Sequence, residues 1–360
     1  MENSKYFLAA NSTLGFVSRF DQLYNPYENW FLYIIKGGPG TGKSTLMKNI
    51  VKAASQKGIE TELIYCSSDP DSLDGVIFPS LKIAIADGTA PHTLDPVFPG
   101  VADTIVNLSD CWDKKKLYIF KNEIKEKTTQ NSIYHKKSKN YLKACKNIDR
   151  NIEYIIRQSI IEDKINLYCK NTSKKLFKRK SDFIGNEKTR FLSGITPKGI
   201  FVFEDTINNI CDKTYVLDDD YGIASSIILE SLKKQALDSG LDITACYCPT
   251  DPYNKLEYLI IPQIKTSFVV SNSYHPLNKI VPYKTIHCKR FIDLEKLSSD
   301  KEKLKFNKKL RLELIKKAVE NLQLAKSTHD ELEKMYIQSM DFRKVNKLSD
   351  LLIDEILKTD

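Results

Sequence analysis

Nowhere in its 360 residues does this chain stay apolar for the roughly 18 positions that a membrane-spanning helix needs, so no span is expected. The opening Met1-Glu2-Asn3-Ser4-Lys5 is too polar for a secretory signal, which favours a cytoplasmic location. There is no Cys-x-x-Cys pair. The eight cysteines are scattered, mostly within apolar segments such as those around Cys66, Cys145 and Cys246, and this suits reduced thiols rather than a disulfide framework. The missing pair also argues against zinc. Cys246, Cys248, His275, His287 and Cys288 are candidate ligands, but Cys246 and Cys248 share one face of a strand that reads as core. At 41 % hydrophobic and 28 % charged, the chain is globular and long enough for two domains.

Against these absences stands one dense signal. Gly37-Gly38-Pro39-Gly40-Thr41-Gly42-Lys43-Ser44 is a complete Walker A phosphate-loop sequence. Phe31–Ile35 before it reads as a buried strand, and Thr45, Leu46, Met47, Ile50 and Val51 after it read as a helix, the context this motif requires. Glycines let the backbone curl until successive N–H groups face a phosphate, and the helix N-terminus adds its positive end. Lys43 is placed to bridge β- and γ-phosphates, and Ser44 to hold Mg²⁺. The expected cofactors are ATP and Mg²⁺.

The second signal is an internal repeat. Phe7-Leu8 through Gly15 resembles Phe191-Leu192 through Gly199 at an offset of 184, and Tyr65-Cys66-Ser67-Ser68-Asp69-Pro70 resembles Tyr247-Cys248-Pro249-Thr250-Asp251-Pro252 at 182. Pro79 falls on Pro262 and His92 on His275, both at 183. The order and consistency of these offsets predict two copies of one α/β unit. At the phosphate loop the copies diverge. Opposite residues 37–44 stand Asp219-Asp220-Tyr221-Gly222-Ile223-Ala224-Ser225-Ser226, so the lysine is replaced by Ser225 and two glycines by aspartates. Carboxylates repel a polyphosphate, and a second nucleotide site is not expected.

Further strands are expected at Thr61–Cys66 and Leu81–Ala86. The latter ends in Asp87, the form of a Walker B strand, whose acid would hold a Mg²⁺-bound water. The second copy has Phe268-Val269-Val270-Ser271-Asn272 there and no acid. Asp69, Asp71 and Asp74 follow the first of these strands in a loop expected to border the γ-phosphate. Asp69 is a candidate for orienting water, with turn capping as the plainer role. His92 has a counterpart in the half without a phosphate loop, which favours packing over catalysis.

Each unit is followed by a helical stretch, 114–176 and 301–357, with apolar residues at helical spacing: Tyr141, Cys145, Ile148, Ile152 and Ile155 in the first, Leu314, Ala318, Leu322, Ala325, Leu332 and Met335 in the second. Asn131-Ser132 and Ser327-Thr328 mark expected breaks, making each stretch an antiparallel helical pair. The predicted organisation is 1–112, an active unit; 113–190, a basic helical insert and linker; 191–298, a degenerate unit; and 299–360, a C-terminal helical segment. Residues 113–190 hold 22 Lys or Arg against 9 Asp or Glu, although the whole chain is only +9. Such clustering suits an anionic partner, nucleic acid or an acidic protein among them, or a solvated helical face. Lys174, Lys175, Lys178, Arg179 and Lys180 are its densest part.

With these residues in view, the chain resembles bacterial P-loop NTPases built from tandem units. Those proteins carry Gly-Gly-Pro-Gly-Thr-Gly-Lys-Ser-Thr, as at 37–45 here, and a Cys-Ser-Ser-Asp-Pro segment followed by Asp-Gly-Thr-Ala-Pro-His, as at 66–70 and 87–92. The resemblance implies ATP at Gly38–Thr45 with Mg²⁺, and names no substrate. Asp87 is followed by Gly88 rather than Glu, unlike many motor ATPases, and no dense arginine lid occurs, unlike many kinases. An ATPase whose nucleotide state moves its two halves or a partner is the leading reading. A small-molecule or nucleotide kinase and a non-enzymatic ATP-binding regulator are the alternatives. The degenerate copy is expected to pack on the first as an internal pseudo-dimer and to complete its site, with Arg290 as one side chain it would present.

Overall fold

Phe31-Leu32-Tyr33-Ile34-Ile35 is sheathed in neighbours because its strand, β4 (Phe31–Lys36), lies inside a sheet rather than at its edge. The computed structural model describes residues 3–178 and 183–358. The first sheet is built from β1 (Ser4–Phe7), β5 (Glu62–Tyr65), β6 (Leu73–Phe78), β7 (Ile83–Asp87), β4 and β8 (Asp103–Asn107), in that spatial order. A hairpin of β2 (Ala9–Ser12) and β3 (Gly15–Ser18) stands beside it, and helix α1 (Lys43–Gln56) follows β4. The second half repeats the plan. Its hairpin is β10 (Ser193–Thr196) with β11 (Gly199–Val202). Its sheet runs β9 (Glu187–Arg190), β13 (Ile243–Cys248), β14 (Asp251–Ile261), β15 (Thr266–Ser271), β12 (Lys213–Asp218) and β16 (Lys284–His287). After the short α5 (Glu204–Ile210), helix α6 (Ala224–Asp238) corresponds to α1.

Both sheets have the same strand order and are mostly parallel. Only β6 and β14 run antiparallel to both neighbours. The α/β repeat read from the sequence is therefore present strand for strand. Two details differ. The stretch expected to be loop after Cys66 enters β6 at Leu73, and β9, expected in the linker, is an edge strand of the second sheet. β6 was hidden because Asp74 and Gly75 interrupt its apolar residues, and β9 because Glu187-Lys188-Thr189-Arg190 holds no apolar residue.

The helical stretches depart further from expectation. After α2 (Lys114–Ile119), α3 (Lys121–Arg157) runs unbroken through Asn131-Ser132, and α7 (Lys301–Gln338) runs unbroken through Ser327-Thr328. The polar side chains are accommodated inside the helices: Asn131 Nδ2 donates to Ala325 O at 2.7 Å, and Thr328 Oγ1 donates back to Leu324 O at 2.9 Å. The expected antiparallel pair within each stretch does not form. α3 instead packs antiparallel to α7, burying Leu142 and Cys145 against Ile315, Ala318 and Leu322. Arg311, buried on α7, pairs with Asp149 on α3. The terminal helices are exchanged: α4 (Glu162–Leu176) packs on α6 of the second unit, and α8 (Phe342–Ile356) on α1 of the first.

Backbone hydrogen bonds fix each exchange. Asp113 N donates to Ser339 O (2.7 Å) and Asp341 N to Cys111 O (2.9 Å). The matching pair is Asp293 N to Ser159 O (2.8 Å) and Ile161 N to Phe291 O (2.9 Å). Between the sheets, the repeat-equivalent residues Phe7 and Phe191 exchange both backbone bonds with each other, at 2.8 and 3.0 Å. Residue i meeting j while j meets i is how a two-fold contact is built, here within one chain.

The basic insert exposes most of its charge. Lys174, Lys175 and Lys178 lie on the surface, while Arg179 and Lys180 fall outside the described residues. Among the described residues no helix is long and apolar enough to cross a membrane.

Because α8 closes the apolar face of the first unit, Leu352, 5 % exposed in the cluster with Met47 and Ile50, is a sensitive position. Leu352→Ala should cost about 2–5 kcal/mol in urea denaturation, the range for buried Leu truncation. A loss under about 0.5 kcal/mol would mean that the exchange does not hold the first unit together.

Candidate functional site

The loop between β4 and α1 owes its shape to two left-handed glycines, Gly40 (φ 66°) and Gly42 (φ 90°), a conformation that costs other residues strain. Within this curl Lys43 turns back. Its Nζ donates to Gly37 O and Gly38 O, both at 2.8 Å, and lies 3.5 Å from Asp87 Oδ2. The parallel register of β4 and β7 sets Ile35 beside Asp87, which brings Lys43 and Asp87 together across 44 positions of sequence. Asp87 is itself held by Thr89, whose backbone N donates to Oδ1 at 2.9 Å. Ser44 Oγ accepts from Leu73 N at 2.9 Å, tying the loop to β6. Thr41 Oγ1 donates to Gly38 O at 2.9 Å. Of the sequence candidates, Gly37, Gly38, Pro39, Gly40, Thr41, Gly42, Lys43, Ser44, Thr45 and Asp87 thus share one loop and its adjoining strand end.

Asp69 goes elsewhere. Its carboxylate accepts from Ser72 Oγ (2.8 Å) and pairs with Lys326 of α7 (3.5 Å), which is the turn-capping role plus a link to the distant helix. Asp71 pairs with Lys198 at 2.7 Å, and that exposed contact lowers its pKa. Asp74 faces His92 Nε2 at 3.1 Å, and the His92 ring stacks on Phe20.

Residues over the loop were not foreseen. A Cβ on Gly38 would press on Tyr336 and Trp112, and one on Gly40 would strike the Glu333 carbonyl at 2.8 Å. Gly42 approaches Phe342 and Val345. The C-terminal end of α7 and the start of α8 therefore cover the glycine-rich loop. No local pattern announces this, since these residues lie some 300 positions downstream. Arg290 does not take part: it lines a cleft against α4 with Tyr215 and Tyr283, away from the loop. The expectation that Arg290 serves the first site is corrected, because it sits on the second sheet's outer edge.

The second copy explains its own divergence. Gly222 keeps the turn (φ 70°), but Asp219 turns inward, only 3 % exposed. Its carboxylate accepts from Ser225 N at 2.8 Å and Tyr221 N at 3.2 Å. A built-in anion thus occupies the N-terminal end of α6, whereas α1 has no side-chain cap at its N-terminus. First-turn N–H groups lack helical partners; at α1 the N-cap supplies no side-chain acceptor, whereas at α6 Asp219 takes one of these donors.

The zinc candidates separate. Cys248 and His275 do meet, joined by Glu257, with ligand atoms within 4.8 Å of one another. His287 pairs with Asp218 at the surface, Cys288 Sγ points to Ile286 O, and Cys246 lies outside the group. Burial works against charge on Glu257, but His275 at 3.1 Å outweighs it and brings the carboxyl down to about 2. Burial pushes the Cys248 thiol up to about 12. Cys66, Asp74 and His92 repeat this trio in the first copy, which fits a packing role for both histidines.

Comparison with family models, curated proteins and solved structures finds no match.

Two outcomes follow. Asp219→Ala, which strips one buried and one half-buried N–H group of their acceptor, should destabilise the chain by about 1–3 kcal/mol in denaturant titration, and no loss would remove the built-in anion. For Glu257, the folded carboxyl lies below its unfolded value of 4.5, so its stabilisation is present above that value and is lost as pH falls toward about 2. The wild-type melting temperature should therefore fall more steeply over this window than that of Glu257→Gln, and equal slopes would contradict the pairing with His275.

Proposed function

We propose that residues 37–45 bind ATP with Mg²⁺ and that the chain is a P-loop NTPase that hydrolyses it. The observation that carries this reading is the contrast between copies. One loop has a lysine against an aspartate and an uncapped helix start, and the other has filled the same place with its own carboxylate. The donor set fits a triphosphate and a hard cation. Lys43, now resting on two carbonyls and near Asp87, would turn to the phosphates. Ser44 Oγ and Asp87 would hold the metal's side of the group, and the backbone N–H groups of Gly40–Thr45 would receive phosphate oxygens. Bound ATP supplies the phosphoryl group that passes to water.

Nucleotide state would move the halves of the chain. The elements over the loop, α7 and α8, belong in sequence to the second half, and α7 runs from there along α3. A shift at Tyr336 or Glu333 is thereby passed to a 38-residue helix packed against both units. This supports a switch over a simple small-molecule kinase, since the cover of the loop is the end of a long helix that starts in the other half of the chain.

ATP with Mg²⁺ at 100 times its dissociation constant should stabilise the wild type by about 2.7 kcal/mol, read as a rise in melting temperature. Lys43→Ala should abolish that rise. Asp87→Asn should keep ATP binding and lose most phosphate release. Titration calorimetry should find one ATP per chain. An undiminished shift in Lys43→Ala overturns the assignment, and ADP formed with a phosphorylated acceptor in place of free phosphate moves it to the kinase reading.

A further inference from the structure

The second unit has an open cleft of about 700 Å³ between α4 and the sheet edge at β16. One wall is a single stripe of α4, in which Lys164, Tyr168, Asn171 and Lys175 recur at helical spacing. The other wall carries Tyr215, Tyr283, Lys284, Arg290 and Phe291. No carboxylate is among the lining residues, and among the described residues none of Lys164, Lys175, Lys284 and Arg290 forms an ion pair. The aromatic rings are braced. Tyr215 stacks on Phe268 at 4.9 Å and meets Tyr283 edge-on at 5.4 Å, and Tyr168 lies 5.5 Å from Phe291. Tyr283 remains 54 % exposed, so part of its ring is free to stack.

The first unit supplies a control within the molecule. The exchange contacts match Ser159 with Ser339 and Phe291 with Cys111, so α4 and α8 correspond at an offset of 180. Lys175 then falls on Glu355, Arg290 on Asp110, and Tyr168 on Leu348. There the space is filled: Leu352 and Ile356 are buried, and Tyr33 donates to Glu355 at 2.8 Å. A generic packing requirement would treat both places alike. Although Lys164 keeps a lysine opposite it in Lys344, one place is closed and carries Glu355 and Asp110, while the other is open, cationic and aromatic.

We propose that this cleft binds single-stranded nucleic acid. Cations without a carboxylate partner meet phosphates. The exposed Tyr283 ring, backed by the buried Tyr215 and Phe291 and the half-buried Tyr168, meets a base. This is the pairing of features by which single strands are held without sequence readout. Lys164 and Lys175 are eleven residues apart on one helix, about 16 Å. That is a longer reach than the phosphate of one nucleotide can serve. Exposed Lys170 and Lys174 on the same helix, and Lys178 just past its end, add to the basic surface. The cleft is separate from the Lys43 loop, so its occupancy does not depend on the reading of that loop.

The test is fluorescence anisotropy of the full-length protein with labelled 12-nucleotide oligo-U and oligo-dT across a potassium chloride series. The expected result is binding at 50 mM salt that weakens as salt rises. Lys284→Ala with Arg290→Ala should lower affinity at least tenfold and reduce the salt slope by about 1.4, two phosphate contacts in a single strand. Tyr283→Ala should lower affinity severalfold with the slope unchanged, since stacking releases no counterions. Lys125→Ala with Lys136→Ala removes equal charge from exposed sites on α3 and should change affinity less than twofold. Circular dichroism melts confirm that each variant is folded. Absence of binding at 50 mM salt overturns the proposal, as does an equal loss in the α3 variant. Equal affinity for a 12-base-pair duplex overturns it too, and so does full displacement by uridine monophosphate at equal nucleotide concentration.

Discussion

Helices α3 and α7, 37 and 38 residues long, are the longest elements among the described residues, and their length organises the molecule. A 37-residue helix spans about 55 Å, so the chain leaving the first sheet at Asp113 is carried past its own unit before it can turn. The turn at Ser159–Ile161 then has the second sheet beside it rather than the first, and α4 buries Ile165 and Cys169 there. The return helix α7 makes the same journey in reverse. Neither helix has enough apolar surface on a sheet to stay folded alone. Each is stabilised by the other along the stripe of Leu142, Cys145, Ala318 and Leu322.

The glycine-rich loop depends on this exchange. Its outer side is roofed by Tyr336, Glu333 and Ile337, which arrive only because α7 ends where α2 begins. Asp69 is tied to Lys326 on the same helix. A candidate site drawn from residues 1–112 alone would therefore lack its cover. The same geometry operates at the second unit, where the end of α3 packs Ile152 and Ile156 with Ile223 beside the degenerate loop. There the Asp219 carboxylate accepts from Ser225 N at 2.8 Å, so the start of α6 carries an anion of its own.

The two halves have thus drifted in complementary directions from a shared plan. The first keeps an uncapped helix start and closes its outer edge with Leu352 and Glu355. The second caps its helix start and leaves its outer edge open and basic. The buried acid–histidine pairs, Asp74 with His92 and Glu257 with His275, are common to both and sit on the opposite side of this divergence: they hold each unit together.

Local chemistry was legible in the sequence. The loop at 37–44 and the strand ending in Asp87 follow from residue types at fixed short spacing, because backbone conformation is set within a few residues. The duplication and Ser225 in place of the lysine follow from ordered matches at offsets of 182–184. The missing strand β6 and the misplaced breaks at Asn131-Ser132 and Ser327-Thr328 show the limit: a polar residue reads as punctuation until a neighbouring helix gives it a partner, as Ala325 does for Asn131. Which sheet receives α4 or α8, which side chains roof the loop, and whether a basic helix face is merely wet or forms a cleft were decided only by the tertiary structure. Apolar stripes are chemically interchangeable, and the choice among them is made by chain length and the two-fold closure of the whole chain.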